Sequence, residues 1–368
     1  MGPTHFPRRR QLALVWACKL FFGREKLRHV NGALMAREMS EQPDRLRDLI
    51  GRFDTIGEQV GAIAPVPLNG ITIVGRGSSD HAAVFGRYLL EATTGKPVSL
   101  AAPSLHTLYG VDVDYSGQLV IAVSQSGATP EIVKTLQALQ DAGGRGLAIV
   151  NDPESALAIA AGETVELDMG EERAVPATKT VTGQLTAFAI IASALGRVPF
   201  TRGELDALPE LVQVVLDDQR TAAVAAEELV GASRLIVVAR GYLFAAALET
   251  ALKLKETCSI FADGYSAADL RHGPIAAVTR GLPVIALCAP GPALADVASL
   301  IEELRARRAS ILVVGSGEGA DVSLPREAPE PLAPILAVVR GQQLALELAL
   351  RLGYDPDSPE GLTKVTPM

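Results

Sequence analysis

The sequence predicts an α/β fold of two tandem, doubly wound parallel-sheet domains related by an internal duplication. Three pairs of apolar segments predict this fold, because the members of every pair are separated by the same 164 residues. The pairs are residues 71–77 with 235–241, 119–127 with 283–291, and 147–152 with 311–316. Each segment is a run of Val, Ile and Leu without alternation, as expected for strands covered on both faces of a parallel sheet.

Helical patterns separate the predicted strands, such as residues 129–142, which end at two glycines, and residues 293–308. A chain of 368 residues also has the length of two domains. The predicted divisions are a basic leader at 1–34, a helix at 35–61, the first domain at 62–201, a helical linker at 202–225, the second domain at 226–358 and a C-terminal tail at 359–368.

Composition and charge exclude several kinds of partner. With 48% hydrophobic residues and a net charge of −8, the chain resembles an ordinary globular protein. Residues 1–34 carry seven Lys and Arg against one acid, so the remaining body is strongly acidic and a poor binder of nucleic acid. We interpret the leader as an extension, or as sequence upstream of a start at Met35, because Lys19 interrupts the apolar run that a secretion signal needs. No run reaches the roughly 20 apolar residues of a membrane span.

Cysteine and histidine usage predicts neither a disulfide framework nor a metal site. Cys18, Cys258 and Cys288 lie far apart, and the five histidines lack metal-ligand spacing. A reducing, cytoplasmic location is expected from this pattern.

Two serine-rich turns follow predicted strands of the first domain. Residues 75–80 read GRGSSD and residues 124–129 read SQSGAT, whereas the matching second-half turns, ARGYLF and CAPGPA, lack the hydroxyls. Turns at the carboxyl ends of such strands gather around ligands, and helix N-termini with hydroxyl donors bind phosphate. The expected phosphate ligands are Ser78, Ser79, Ser124, Ser126 and Thr129, with Gly77 and Gly127 permitting close approach. For any one hydroxyl the alternative is an ordinary helix N-cap. Nucleotide binding is disfavoured because neither GxxxxGK[ST] nor GxGxxG is present.

A charged stripe is predicted on one helix of the second domain. Glu249, Lys253 and Glu256 follow the i, i+4, i+7 spacing of one helix face. The alternative is a solvated row of ion pairs. However, only eight of the 34 basic residues are lysines, and half of these lie in the five motifs considered next. Lysine can lose its proton or form a Schiff base, which arginine cannot.

Five motifs, in order, resemble the double sugar-isomerase (SIS) domain family. They are SQSGAT at 124–129, EERAVPATK at 171–179, ALETALKLKE at 247–256, LRHGP at 270–274 and GLTKV at 361–365. The resemblance covers residues 35–368. It is to the isomerase region of glucosamine-6-phosphate synthase and most closely to the stand-alone glucosamine-6-phosphate deaminases of SIS type. It implies two flavodoxin-like domains. The amidotransferase domain of the synthase is expected to be absent, because a short leader precedes Met35 and no cysteine follows Met1.

The resemblance also implies roles for individual residues. Glu256 would move a proton between C2 and C1 of the open-chain sugar, and Lys253 would stabilise developing oxyanion charge. His272, supplied by the neighbouring subunit, would open the sugar ring, and Lys364 matches a lysine that forms an imine with the ketose. Substrate contacts would come from Gly77, Ser78, Ser79, Ser124, Gln125, Ser126, Thr129 and Val175.

The implied activity converts glucosamine 6-phosphate to fructose 6-phosphate and ammonia, without a metal or organic cofactor. A homodimer with composite sites is implied, with the helix at 245–258 and the loop around His272 at or near its interface. Other SIS activities remain open: amination of fructose 6-phosphate, as in the synthase, deamination of galactosamine 6-phosphate, and deglycation of a fructosamine phosphate. A non-catalytic sugar-phosphate sensor and a purely structural α/β protein are the alternatives outside enzymes.

Overall fold

The structure, a computed structural model, describes residues 31–317 and 319–364. Nearly all of the predicted leader and the last four residues of the predicted tail lie outside the described residues. The predicted fold is confirmed: two five-stranded sheets, with every strand pairing parallel to its neighbours, carry helices on their faces.

Three helices occupy the region where a single helix was expected at 35–61. They are α1 (Ala33–Ser40), α2 (Gln42–Gly51) and α3 (Phe53–Ile63). Pro43 breaks the first connection, because it has no N–H to donate to the carbonyl of Met39. The side-chain amide of Gln42 donates to that carbonyl instead, at 3.0 Å.

The first domain alternates strands and helices. Its elements are β1 (Gly70–Val74), α4 (Ser78–Thr94), β2 (Val98–Leu100), α5 (Pro103–Thr107), β3 (Gln118–Ser124), α6 (Pro130–Asp141), β4 (Arg145–Val150), α7 (Ala156–Ala160), β5 (Glu163–Glu166) and α8 (Lys179–Leu195). The sheet order is β2-β1-β3-β4-β5. Successive strands are added on one side of β1 and then, from β3 onward, on its other side. Ligands bind at this switch point, between β1 and β3, in sheets of this order.

Three short helices form the predicted linker: α9 (Arg202–Asp206), α10 (Leu208–Asp217) and α11 (Gln219–Glu228). Their starts follow local chemistry. A reciprocal capping box joins Thr201 to Glu204 at α9, Pro209 lies in the first turn of α10, and the Asp218 side chain accepts the Thr221 N–H at α11.

The second domain repeats the first. Its elements are β6 (Arg234–Ala239), a 3₁₀ turn (Gly241–Leu243), α12 (Phe244–Cys258), β7 (Phe261–Ser266), α13 (Ala267–Arg271), a second 3₁₀ turn (Pro274–Ala277), β8 (Pro283–Cys288), α14 (Leu294–Ala306), β9 (Ser310–Gly315), β10 (Val322–Ser323) and α15 (Ala333–Leu352). The sheet order β7-β6-β8-β9-β10 corresponds strand for strand to the first sheet, so the 164-residue repeat is structural.

Helices α8, α12 and α15 form the interior of the molecule. In length and composition α15 could cross a membrane, but 94% of its apolar window is buried within this fold, so it is a core helix. Helix α12 packs on α15 and, across the domain boundary, on α4. Most of α12 is buried in its own chain, so it offers little surface to a second subunit. The expectation that this helix and the loop around His272 lie at or near a subunit interface stays a prediction.

Candidate active site

A cavity of about 260 Å³ lies at the carboxyl ends of β1 and β3. Segments from both domains surround it, because the packing of α12 on α4 brings the charged face of α12 to the first sheet. Its lining includes Gly77, Ser78, Ser79, Ser124, Gln125, Ser126, Thr129, Val175, Glu256 and Lys364. The structure therefore brings ten of the twelve sequence-predicted site residues to one cavity; the other two are Lys253 and His272.

The two turns have the geometry of an anion cradle. Gly77 and Gly127 have φ angles of +57° and +59°, which side chains rarely adopt, so glycine is required at both. The Ser124 hydroxyl accepts the Gly127 N–H at 3.1 Å, and the Ser126 hydroxyl accepts the Ala128 N–H at 3.2 Å. Since both oxygens act as acceptors here, their protons are free to point at a ligand.

Ordinary helix N-capping does not explain the hydroxyls at the starts of α4 and α6, the two helices that follow the serine-rich turns. Thr129 is the N-cap residue of α6, and its side chain makes no capping hydrogen bond. At α4 the N-cap residue is Gly77, so Ser78 and Ser79 lie inside the first turn. Hydroxyls at these positions are therefore not explained by capping.

The charged stripe on α12 is buried rather than solvated. Glu249 and Lys253 are each 1% exposed, and the Lys253 ammonium lies 3.3 Å from Glu249 and 2.5 Å from Glu256. Ser78 joins this cluster to the first turn: its hydroxyl donates to Glu249 at 2.8 Å and accepts from Lys253 at 3.3 Å. His81 Nδ1 lies 2.7 Å from the other Glu249 oxygen.

These contacts keep both Lys253 and Glu249 in their charged forms. Burial alone would lower the pKa of Lys253, but Glu249 and Glu256 outweigh it and raise that pKa, so Lys253 stays a cation. Burial alone would raise the pKa of Glu249, but Lys253, His81 and Ser78 bring it down to about 2. Lys253 lies behind the cavity wall as a permanent positive charge beside Glu256.

A third part of the cavity comes from the segment 171–178 and the C-terminal tail. Lys364 donates to Glu172 at 2.9 Å. The fully buried Glu172 also accepts the Thr178 and Thr180 N–H groups and both of their hydroxyls. Lys364, Thr178 and Thr180 outweigh the effect of burial and lower the pKa of Glu172. An ionised Glu172 therefore holds the tail against the cavity.

His272 is exposed and lies outside this cavity. It lines a separate groove of about 570 Å³ in the second domain, together with Arg240, Arg271 and Asp296. The Asp296 carboxylate forms an ion pair with each arginine, at 3.2 Å from Arg240 and 2.6 Å from Arg271. Within one chain, the structure does not bring His272 to Glu256.

Sequence reasoning missed several residues of the site. Gln184 is 1% exposed, lines the cavity and donates to the Ser79 hydroxyl at 2.9 Å. In the described part of the chain nothing donates to its carbonyl oxygen, which leaves an acceptor for a ligand. Thr180 and Gln184 lie four positions apart, on one face of α8, and this spacing was the available signal. Lys179, which belongs to one of the motifs, instead makes a buried ion pair with Glu41.

Among residues 31–317 and 319–364 there is no cluster of three His, Cys, Asp or Glu side chains placed to hold a metal ion.

The fold and cavity define a duplicated, doubly wound α/β protein whose site lies at the switch point of its first sheet. The chain belongs to the SIS domain family, whose model matches residues 69–194 and 228–328, one stretch in each domain.

Individual relatives agree with this assignment. A glutamine–fructose-6-phosphate aminotransferase (isomerizing) of Methanothermobacter thermautotrophicus is 34% identical over 340 residues, which are 90% of this chain and 56% of the relative. The chain thus spans a little over half the length of the curated relatives it matches.

Two solved structures show the same fold. The C-terminal domain of the glucosamine-fructose-6-phosphate aminotransferase of Francisella tularensis superposes with a TM-score of 0.79 at 25% identity, covering 92% of this chain and all of that one. A glucosamine-6-phosphate deaminase of Thermotoga maritima superposes with a TM-score of 0.74 at 24% identity, covering 90% of this chain and 98% of that one. At that identity the second likeness is one of fold.

Proposed function

We propose that this protein is an amino-sugar phosphate deaminase that converts glucosamine 6-phosphate to fructose 6-phosphate and ammonia. One observation carries the proposal: a single cavity joins hydroxyl-bearing turns at helix N-termini to the Glu256 carboxylate, with two lysines beside it. Such a cavity has the parts needed to hold a phosphate at one end and to move a proton at the other.

The phosphate is held by the two turns. Ser79, Ser124, Gln125, Ser126 and Thr129 donate to its oxygens, and the N-terminus of α4, behind Gly77 and Ser78, adds a partial positive charge. Gln184 supports this arrangement, because its amide donates to Ser79 and so directs the Ser79 proton toward the ligand.

The chemistry takes place beside α12. In the open-chain sugar, Glu256 removes the proton from C2 and returns it to C1, so the C1 aldehyde becomes an alcohol and C2 becomes an imine. Water adds to that imine, ammonia leaves, and the ketone of fructose 6-phosphate remains. Lys253 is a fixed cation next to Glu256, and it stabilises the negative charge that develops on oxygen during enolisation. Lys364 and the backbone of Val175 complete the wall around the carbon chain.

The opposite direction of the same chemistry is the second candidate. The curated relatives carry the name of an aminotransferase that acts on fructose 6-phosphate, and the same residues would aminate this ketose. The proposal requires neither a metal nor an organic cofactor, and it places the enzyme in the cytoplasm with its substrate.

The test is ammonia release from glucosamine, galactosamine and N-acetylglucosamine 6-phosphates and from a fructosamine 6-phosphate, with formation of fructose 6-phosphate followed in parallel. Glucosamine 6-phosphate is expected to be the best substrate. Amination of fructose 6-phosphate without any deamination would replace the proposal by a synthase-type reaction. Tight binding of these sugars without turnover would make the protein a sensor.

We also propose that the active enzyme is a homodimer in which His272 opens the sugar ring in the partner's cavity. Two observations support it: His272 is exposed and apart from the Glu256 cavity of its own chain, and the segment after α5 exposes Leu108 and Tyr109 to 78% and 74%. Apolar side chains this exposed are typical of a surface that another subunit covers.

Mixing two inactive variants, His272→Ala and Glu256→Gln, tests the shared site. If subunits exchange freely, half the dimers are mixed and each regains one intact site, so activity returns to about one quarter of wild type. A monomer in light scattering, or no recovery despite demonstrated exchange, would contradict the dimer.

A further inference from the structure

Helix α1 lies outside the cavity, yet it holds one of its walls. Glu38 on α1 is fully buried. Its carboxylate accepts the Arg173 N–H at 2.5 Å and the Ala174 N–H at 3.3 Å. The next residue, Val175, lines the cavity, so Glu38 fixes the backbone immediately beside the site.

The N-terminal end of the same helix is fastened to the tail. The Asp357 carboxylate accepts the N–H groups of Leu34 and Met35 at 2.9 and 2.8 Å. The Asp357 carbonyl in turn accepts the Val175 N–H at 3.0 Å. Thus α1 is tied both to the segment 171–178 and to the chain that carries Lys364, the two pieces that form this side of the cavity.

Glu38 has no part in the proposed chemistry, and its burial is unfavourable for a charged group. Burial raises its pKa to about 7; Glu172 adds to the increase, whereas the backbone N–H groups of Arg173 and Ala174 and the Lys364 ammonium oppose it. The positive charge of the Arg173 guanidinium also interacts with the Glu38 carboxylate. A buried carboxyl of this kind is retained at a cost, which is expected where its charged form has a specific task.

We propose that Glu38 is a positioning residue of the active site, whose ionised carboxylate holds the 173–174 backbone and thereby sets Val175 and the tail around the substrate. The inference rests on the proposed function for its kinetic readout. An ionised carboxylate accepts both backbone N–H groups, whereas a protonated carboxyl has less acceptor capacity. The two hydrogen bonds are strongest with the ionised carboxylate, so the alignment of this wall is expected to be best above pH 7. Burial opposes ionisation, so the stability of the fold is not expected to rise there.

The first experiment compares wild type with Glu38→Gln, which keeps the side-chain size but cannot ionise. At pH 8 the kcat/KM for glucosamine 6-phosphate is expected to fall about tenfold in the variant. At pH 6 the two proteins should converge, because wild-type Glu38 is then mostly protonated. The melting temperature at pH 8 should not fall, since the variant no longer buries a charge. Equal pH profiles for the two proteins would overturn the proposal.

Glu330→Gln is the matched control. Glu330 is also a buried carboxyl whose pKa is raised by burial and lowered in part by a backbone N–H, that of Ala293, but it lies in the second domain away from this wall. It is expected to leave kcat/KM and its pH profile unchanged. A change equal to that of Glu38→Gln would show a general effect of buried carboxyls and overturn the proposal.

A second measurement needs no turnover. Amide hydrogen exchange of Arg173 and Ala174 at pH 8 is compared between wild type and Glu38→Ala, which removes the acceptor of both N–H groups. Exchange of these two amides is expected to be several-fold faster in the variant. Equal exchange in the two proteins would overturn the role of Glu38. Faster exchange in a variant of a protein that releases no ammonia from any sugar would refute the proposed function and leave the positioning role standing.

Discussion

The two halves of the duplication place turns at equivalent positions but line them with different side chains. The 164-residue offset pairs Ser124 with Cys288, Ser126 with Pro290 and Thr129 with Ala293. It also pairs the three charged positions of α12 with apolar residues of α4: Glu249 with Phe85, Lys253 with Leu89 and Glu256 with Ala92. At these equivalent positions, the hydroxyls belong to one half and the charged side chains to the other.

The side chains that pack against the equivalent glycines, Gly127 and Gly291, differ as well. A Cβ on Gly127 would come 2.1 Å from the hydroxyl of Ser155, whereas a Cβ on Gly291 would come 2.0 Å from the carboxylate of Glu330. The backbone N–H of Ala293, at the start of α14, lies near enough to Glu330 to lower the pKa of its carboxyl against the effect of burial. In the second half a carboxylate of the chain itself therefore occupies the helix N-terminus, and an external phosphate would meet its negative charge. Under the proposed function, this comparison corresponds to a division of labour, in which the first half binds the phosphate and the second half supplies the acid–base groups.

The largest expected effect tests the catalytic side of this division. Glu256→Gln should lower kcat by about 10⁴-fold, the upper range for a positioned acid–base group, and leave the KM for the sugar phosphate nearly unchanged. Deuterium incorporation at C1 of fructose 6-phosphate, followed by NMR, measures the proton transfer itself. Undiminished exchange would transfer the role to another base, with Glu249 the first candidate.

The binding side is tested by Ser126→Ala combined with Thr129→Ala. Each lost hydrogen bond to a charged phosphate costs about 1.5–3 kcal/mol, so KM should rise at least 10²-fold while the fold is kept. Circular dichroism and steady-state kinetics measure the two quantities. Cys288→Ser, in the equivalent turn of the second half, is the control and should leave KM nearly unchanged. If both halves respond equally, the comparison between them is wrong.

A smaller effect concerns stability and pH. Glu249→Gln leaves Lys253 with one carboxylate fewer, and the free energy of unfolding should fall by about 3 kcal/mol at pH 7. The pKa of Glu249 is lowered to about 2 in the folded protein, so its contribution is complete above pH 4.5 and is lost as the pH falls toward 2. Urea unfolding of both proteins at pH 7 and pH 3 checks this. A difference that does not shrink at pH 3 would contradict it.

The smallest effect is expected for Glu330→Gln. Burial raises the pKa of Glu330, so its charge is unfavourable in the folded protein once the pH exceeds about 4.5. The variant should equal wild type at pH 4 and be as stable or more stable at pH 8, by less than about 1 kcal/mol. Chemical denaturation at the two pH values measures it. A large loss of stability would mean that the carboxylate holds the second-half turn together.

Repetition and turn chemistry could be predicted from the sequence, because both are local or periodic. The strand pairs and the hydroxyls of the two turns belong to this class. The division of the N-terminal region into three helices was missed. The first division occurs at Pro43, which has no N–H and so cannot donate the hydrogen bond that would continue α1. Glu38, Glu172 and Gln184 were missed for another reason. Each acts on residues between six and 192 positions away along the chain, so no local pattern marks it.

The hydrogen bonds that close the cavity join very distant parts of the chain: Ser78 to Glu249 over 171 residues, and Lys364 to Glu172 over 192. Contacts of such sequence separation form late, since the intervening chain must be ordered first. A nascent chain that has emerged as far as the end of β5 therefore carries the first sheet's strands and both serine turns, but neither Glu256 nor Lys364. Under the proposed function, turnover thus requires contacts that exist only once the whole chain has been made.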